Sequence, residues 1–253
     1  DATAIMLAKF LNAEKCVIYT DVQGVFTTDP NKLKRAKKIK VISYEEMLEM
    51  ASLGAKVMQP ASIQEARLNR IEIDVRSTFS KTAGTTITKK KNIFSNNTIR
   101  GISFTKNDAK LTLIGVKDKP GIAASIFKPL YENSINVDMV VQNVSAGGKE
   151  TDLTFTIKLE DLKKTEKLVK NNKYINYRKL IINKNVSKVS IVGVGMITTP
   201  GITYRMFKAL AKKRINIEVI STSEIKISVL IDKKNLKKSV EILHQEFKLN
   251  NSL

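Results

Sequence analysis

Thr20, Asp21 and Asp29 offer a hydroxyl and two carboxylates within one short stretch of chain. The apolar run Cys16-Val17-Ile18-Tyr19 ends in Thr20-Asp21, and a loop punctuated by Gly24 and Pro30 follows. Ligands of open α/β sheets bind at the carboxyl ends of strands, so hydroxyls and carboxylates placed there suit a nucleotide or a metal ion. Ordinary turn chemistry accounts for the same residues equally well, because Asp, Gly and Pro favour loops. A second pattern is Pro-Gly between a strand-like and a helix-like run, at Pro120-Gly121 and at Pro200-Gly201. Proline fixes φ, and glycine removes a side chain from the approach. The free N–H groups and dipole of the helix start would receive a carboxylate. Asp118 and Asp138 nearby would take an ammonium group, so the arrangement suits an amino acid, although a plain tight turn fits as well.

Other chemical patterns are incomplete. Gly193-Val194-Gly195 follows a strand-like run, but Thr198 stands where a dinucleotide fingerprint needs its third glycine. Gly147-Gly148-Lys149 lacks the upstream glycine of a P-loop. The only histidine, His244, falls in an amphipathic helical stretch and is expected at the surface. No His/Cys cluster suits zinc, and no metal site is assigned. Cys16 cannot form an internal disulfide and is expected as a small buried thiol in a reducing cytoplasm.

The elements that position these groups fall into two parts. Over 1–97 the pattern predicts a helix at 1–11 with Asp1 as N-cap, and a buried strand at 16–20. A helix at 43–53 follows, carrying a Ser43/Glu46 capping box, then a helix at 60–68 and a strand at 72–76. Alternation of this kind indicates a layered α/β domain with a largely parallel sheet. Over 98–253 the sequence repeats itself. Leu111 to Gly115 matches Val189 to Gly193, Pro120-Gly121-Ile122 matches Pro200-Gly201-Ile202, and Ile135-Asn136-Val137 matches Ile215-Asn216-Ile217. A period of this size means two copies of one small domain. Each copy reads βαββα, a ferredoxin-like pattern wanting one more strand. Spare strands at 177–183 and 99–105 would complete the first and second copies, interlocking them. The expected domains are 1–97, 98–184 and 185–253.

The length of 253 residues allows two or three domains. No apolar run approaches the roughly 20 residues of a membrane span. The net charge of +20 raises nucleic acid as a partner. Lysine far outnumbers arginine, however, and the basic residues spread over helix faces, with dense clusters only at 34–40 and 89–91. Neither nucleic acid nor membrane is expected as a partner.

The chain resembles the aspartate kinases. Tyr19-Thr20-Asp21-Val22-Gln23-Gly24-Val25-Phe26-Thr27-Thr28-Asp29-Pro30 is similar to their nucleotide loop, and the stretch from Ser43 to Val57 to their next block. Val75-Arg76-Ser77-Thr78-Phe79 with Gly84-Thr85 resembles the end of the kinase domain. Asp118-Lys119-Pro120-Gly121, the stretch from Asn136 to Asn143, and Ile220 to Ile225 resemble paired ACT domains. The resemblance covers nearly the whole chain, in order. It implies part of a three-layer α/β amino-acid-kinase domain followed by two interlocked ferredoxin-like βαββαβ domains. It implies transfer of the ATP γ-phosphoryl group to the side-chain carboxylate of L-aspartate. Magnesium would accompany ATP, with no tightly bound cofactor. Thr20, Asp21, Phe26, Asp29, Pro30 and Lys56 would line the ATP site, and Asp1 would serve the transferring phosphate. Gln23 and Asn31 depart from the family's usual aspartate and arginine, and Lys32 is the candidate substitute for the latter. The family's opening Lys-Phe-Gly-Gly segment is not in this sequence, so the chain alone is expected to lack kinase activity. Lysine, threonine or both would act as effectors across a homodimer built through the ACT domains. The effector would meet Asp118, Gly121, Ile122, Ala123, Val137, Asp138, Gln142 and Asn143, with Ser221, Thr222, Ser223 and Glu224 facing it.

Overall fold

A computed structural model describes residues 1–89, 98–144 and 148–250. Lys90 and Lys91 of the second basic cluster, and Gly147 of the Gly-Gly-Lys motif, lie outside the described residues. The chain divides into two compact units. One gathers the residues up to Thr105 with Val189–Ile231 and the stretch from Asn235; the other holds Lys106–Lys188 and Asp232–Lys234.

The first unit opens with α1 (Ala2–Phe10), β1 (Lys15–Thr20), β2 (Val41–Ser43), α2 (Tyr44–Ser52), α3 (Pro60–Asn69), β3 (Glu72–Ser77) and β4 (Thr85–Thr88). Its four strands lie in the order β1-β3-β4-β2. The pairs β1/β3 and β2/β4 are parallel, whereas β3/β4 is antiparallel. The sheet is therefore mixed, not largely parallel, because Thr85 to Thr88 adds a strand too short and polar to stand out in the sequence. β1 is an edge strand, so the expected buried strand is half exposed: Cys16 faces the core while Tyr19 is 63% exposed. Burial pushes the Cys16 thiol up, which leaves it inert. Ser43 begins α2 with a complete capping box, its Oγ accepting from Glu46 N while Glu46 accepts from Ser43 N.

The first strand of each repeat is longer than the sequence indicated. β5 (Gly101–Lys117) and β8 (Lys179–Val192) absorb the spare strands without a break. In the second unit β5 and β8 join β6 (Val137–Val144) and β7 (Glu150–Lys158) in the order β6-β7-β5-β8. Helices α4 (Ile122–Glu132) and α5 (Leu162–Lys170) contribute to a core around Leu111, Ile126, Leu130 and Phe155. Pro129 lies inside α4 and has no N–H for the Ser125 carbonyl; Asn172 Nδ2 donates to that carbonyl instead, at 2.9 Å. In the first unit β5 and β8 continue into the order β5-β8-β10-β9, with β9 (Val219–Thr222) and β10 (Lys226–Asp232). Helices α6 (Ile202–Ala211) and α7 (Leu236–Glu246) help to close a separate core around Ile191, Met206, Val229 and Leu243.

Within the first unit the kinase-like segment and the second repeat are tied by buried polar contacts. Glu46, 2% exposed, accepts from Val194 N at 3.1 Å and pairs with Arg100 at 3.6 Å. Lys226 reaches Glu49 at 2.9 Å. Ile102 N donates to Thr27 O at 2.7 Å. Among the described residues no helix is long and apolar enough to cross a membrane. Removing a cap costs about 1 kcal/mol, whereas breaking a buried charge pair costs about 3 kcal/mol or more. Urea unfolding should therefore find Glu46→Ala several-fold more destabilising than Ser43→Ala, and equal losses would contradict this role for Glu46.

Candidate functional site

The loop after β1 is built on two parallel strand ends. The register runs from Lys15↔Glu72 to Thr20↔Ser77, so Thr20 and Asp21 emerge beside Ser77 and Thr78. Thr78 donates to Thr20 O through both its N–H (2.8 Å) and its hydroxyl (3.2 Å), and Thr20 Oγ1 donates to Asp21 Oδ1 at 3.1 Å. Asp21 is exposed and Phe26 half-buried. Phe26 forms an antiparallel bridge to Lys38, with Thr27 N donating to Lys37 O and Ile39 N to Val25 O, each at 2.8 Å. Thr85 closes this ribbon from below: its hydroxyl accepts from Val25 N at 2.8 Å and donates to Ile39 O at 2.6 Å. Gly24 has φ +128°, and a Cβ there would lie 2.6 Å from Thr85 Oγ1, so no side chain fits. Asp29 uses one carboxylate oxygen on Asn31 N at 2.8 Å, holding the next turn, and Pro30 is exposed.

Asp1 and Lys56 sit elsewhere in this unit. Asp1 precedes α1 but makes no side-chain cap there; its carboxylate accepts from Gln59 N, the start of α3, at 3.3 Å. Lys56 is exposed in the loop before Gln59. The structure thus brings Asp1 next to the loop that carries Lys56. Among the described residues no hydrogen bond or ion pair joins either of them to the loop 20–30.

The second candidate site lies in the other unit. Asp118, Lys119, Pro120, Gly121, Ile122, Ala123 and Gln142 line an open groove of about 410 Å³. Gly121 has φ +86° at the N-cap of α4, and a Cβ there would meet nothing within 4 Å. The glycine therefore serves the backbone turn and leaves the helix start open. Lys119, between Asp118 and Pro120, joins the expected residues, its only sequence signal being its place in that turn. It adds a cation to a groove that also holds a carboxylate. Three anticipated residues do not line the groove. Val137 is half-buried opposite Ile157, and the exposed Asn143 gives its carbonyl to Thr151 Oγ1. Asp138 is ion-paired with Lys188, which is only 5% exposed, so its carboxylate already has a cation. Ser221 and Thr222 end β9, and the Ser223 N to Lys226 O bond at 2.9 Å closes the turn that carries Glu224.

His244 is buried, not at the surface as its amphipathic helix suggested. Its Nε2 lies 2.8 Å from Thr27 Oγ1, inside the loop already described. Among the described residues no group of three or more His, Cys, Asp or Glu gathers to hold a metal.

Family models match the chain twice in its first and later parts: the amino acid kinase family over 1–77, and the ACT domain over 111–172 and 189–247. Fold and sites together define an amino-acid-kinase segment joined to paired ACT modules. The aspartokinase of Bacillus sp. (strain MGA3) is 42% identical over 253 residues, which is 100% of this chain and 61% of that relative. E. coli aspartokinase III, solved with aspartate and ADP, is 26% identical with a TM-score of 0.81, covering 97% of this chain and 55% of that one. The same enzyme, solved with lysine and aspartate, has a TM-score of 0.79 and 26% identity, covering 97% and 54%. The regulatory subunit of aspartate kinase from Thermus thermophilus is 36% identical, with a TM-score of 0.56, covering 59% of this chain and 99% of that one. The chain belongs to the aspartate kinase family, and it spans about 61% of the length of the Bacillus relative.

Replacing Thr85 by Val leaves the buried Val25 N–H and one Ile39 lone pair without their partner. The expected loss is about 1–3 kcal/mol of stability. Chemical denaturation checks it, together with faster amide exchange at Val25; no change in either would remove Thr85 from its place under the loop.

Proposed function

We propose that this chain supplies the nucleotide loop and the regulatory half of an aspartate kinase. The reaction transfers the ATP γ-phosphoryl group to the side-chain carboxylate of L-aspartate, giving ADP and 4-phospho-L-aspartate for lysine, threonine and methionine synthesis. The observation that carries the reading is the 42% identity with an aspartokinase across all 253 residues, kinase-like segment included. E. coli aspartokinase III with aspartate and ADP supports the substrates.

Such a reaction depends on positioning and charge neutralisation far more than on covalent chemistry. Thr20 and Asp21, at the ends of parallel strands, and Phe26, Asp29 and Pro30 in the ribbon loop would hold the nucleotide. Lys56 would meet its phosphates and Asp1 the transferring group, with magnesium arriving on ATP. A carboxylate oxygen of aspartate attacks the γ-phosphorus as the bond to the ADP oxygen breaks. The 253 residues by themselves do not turn over in this reading, since they correspond to 61% of the Bacillus relative.

The groove at the start of α4 is the proposed effector site. Asp118 would take the α-ammonium group, and Lys119 with the open helix start would take the carboxylate. Lysine is the favoured effector because E. coli aspartokinase III was solved with it in the T-state; threonine is the alternative. The Ser221 to Glu224 segment of a second subunit would face the groove in a homodimer, in the cytoplasm. Inhibition would require the effector to bind two kinase states with different affinity.

A regulatory subunit that acts only with a separate catalytic chain is the second reading, favoured by the 99% coverage of the Thermus thermophilus subunit. Binding of ADP by this chain would discriminate against it. Isothermal titration with L-lysine, L-threonine and L-methionine tests the effector site. Saturable heat with lysine or threonine is expected, weakened about tenfold or more in Asp118→Asn, the scale of one lost charge-assisted hydrogen bond. A folded protein that gives no heat with any of them would overturn the proposed regulation.

A further inference from the structure

His244 is completely buried, and the only side chain within hydrogen-bond distance of its Nε2 among the described residues is the Thr27 hydroxyl, at 2.8 Å. The two residues are 217 positions apart, one in α7 and the other in the loop 24–30. Thr27 Oγ1 accepts from Lys37 N at 3.0 Å, which leaves it one lone pair and one proton, so the tautomer of the ring sets the direction of the histidine contact. With the neutral ring's proton on Nδ1, Nε2 accepts from the Thr27 hydroxyl, and the other face of the ring favours that tautomer. Nδ1 and Asn250 Oδ1 are both buried with no strict hydrogen-bond partner among the described residues. The Asn250 side chain faces the ring closely enough to interact with it, so its amide oxygen is the acceptor available to the Nδ1 proton. Thr27 is itself a hub of the loop. Its N–H donates to Lys37 O at 2.8 Å, and its carbonyl accepts from Ile102 N at 2.7 Å.

A protonated ring would carry hydrogens on both nitrogens and could no longer accept from Thr27. The Thr27 hydroxyl would have to turn its proton away from the ring and accept from both Nε2 and Lys37 N, losing its own donated hydrogen bond in a buried setting. We infer that His244 is a positioning residue for the loop 24–30, accepting from Thr27 while its ring is neutral and placing an unmatched buried charge against the loop when protonated, so that acidification loosens the loop and weakens nucleotide binding. The inference rests on reading that loop as part of the nucleotide site. The surroundings agree with it. Burial holds the His244 pKa below its ordinary value, the neighbouring Asn250 amide opposes this, and the Arg35 charge adds to the lowering. The charged group that bears on the ring is thus the Arg35 guanidinium, from the loop between Pro30 and Lys37. On α7 itself, Glu246 is engaged by Arg205 at 3.0 Å. A depressed histidine pKa contributes stability above the unfolded value of about 6.5, and that contribution is lost as pH falls through the folded value.

Hydrogen exchange of segment 21–39, corrected for intrinsic rates, tests the inference from about pH 7.5 to about pH 5.5, where an ordinary histidine titrates. Wild type should lose protection on acidification by about tenfold, the scale of one net hydrogen bond. His244→Gln, which keeps an uncharged acceptor near the Nε2 position, should retain protection and lose the pH dependence. Thr27→Val should be poorly protected at every pH. Wild type and His244→Gln responding alike to pH would overturn the inference, as would full loop protection in a folded His244→Leu protein. Titration of ADP and magnesium across the same range separates this inference from the functional reading. Affinity that falls with loop protection in wild type alone supports both. A loop that opens with acid only in wild type, while ADP affinity stays constant, leaves the positioning role intact and overturns the assignment of the loop to the nucleotide.

Discussion

A buried carboxylate, that of Glu46, holds together three segments that are far apart in the sequence. It caps the start of α2 through Ser43, pairs with Arg100, and accepts from the backbone N–H of Val194, 148 residues away. A charge that is 2% exposed is tolerable only when such partners satisfy it. The residues that supply them are therefore constrained in place. Close backbone approach completes the junction: a Cβ at Gly101 would lie 2.7 Å from Met50 Cε and 3.0 Å from Thr27 O, so only glycine fits there. The kinase-like segment and the second repeat consequently form one compact unit.

This has a consequence for the loop after β1. Its inner side is held by Thr85 on β4, by Ile102 of β5 and by His244 of α7. Two of those three supports belong to the part of the chain outside the kinase-like segment. Such support preorganises the middle of the loop, because the backbone groups of Val25 and Thr27 are already paired before any ligand arrives. Its shape also depends on the integrity of the second repeat. The first repeat, by contrast, has its own core around Leu111, Ile126 and Phe155, and carries the groove at α4.

The two Pro-Gly turns have the same backbone geometry, with φ of +86° at Gly121 and +84° at Gly201, and each begins a helix. What distinguishes the first is its neighbours. Asp118 and Lys119 place both signs of charge beside the helix start, whereas the second turn follows Met196-Ile197-Thr198-Thr199, which offers no ionised group. A shared turn thus provides the backbone donors, and the flanking side chains decide whether a zwitterion finds complementary charge.

Features whose causes lie within a few residues of each other are legible in the order of amino acids alone. The Ser43/Glu46 capping box is one, since both partners lie on one helical turn. The helices and the Pro-Gly turns are others, because periodicity and backbone preference are local properties, and the repeat is legible because each copy carries the same local pattern. Which faces are covered depends on packing between distant segments. β1 was legible as a strand, but its edge position, and so the exposure of Tyr19, follows from where β3 pairs. Asp138 was legible as an acid near the turn, but not as the partner of Lys188. His244 lay on an amphipathic helix and was assigned to solvent; the loop that buries it comes from more than 200 residues earlier, and a helical pattern records which residues share a face but not what packs against it.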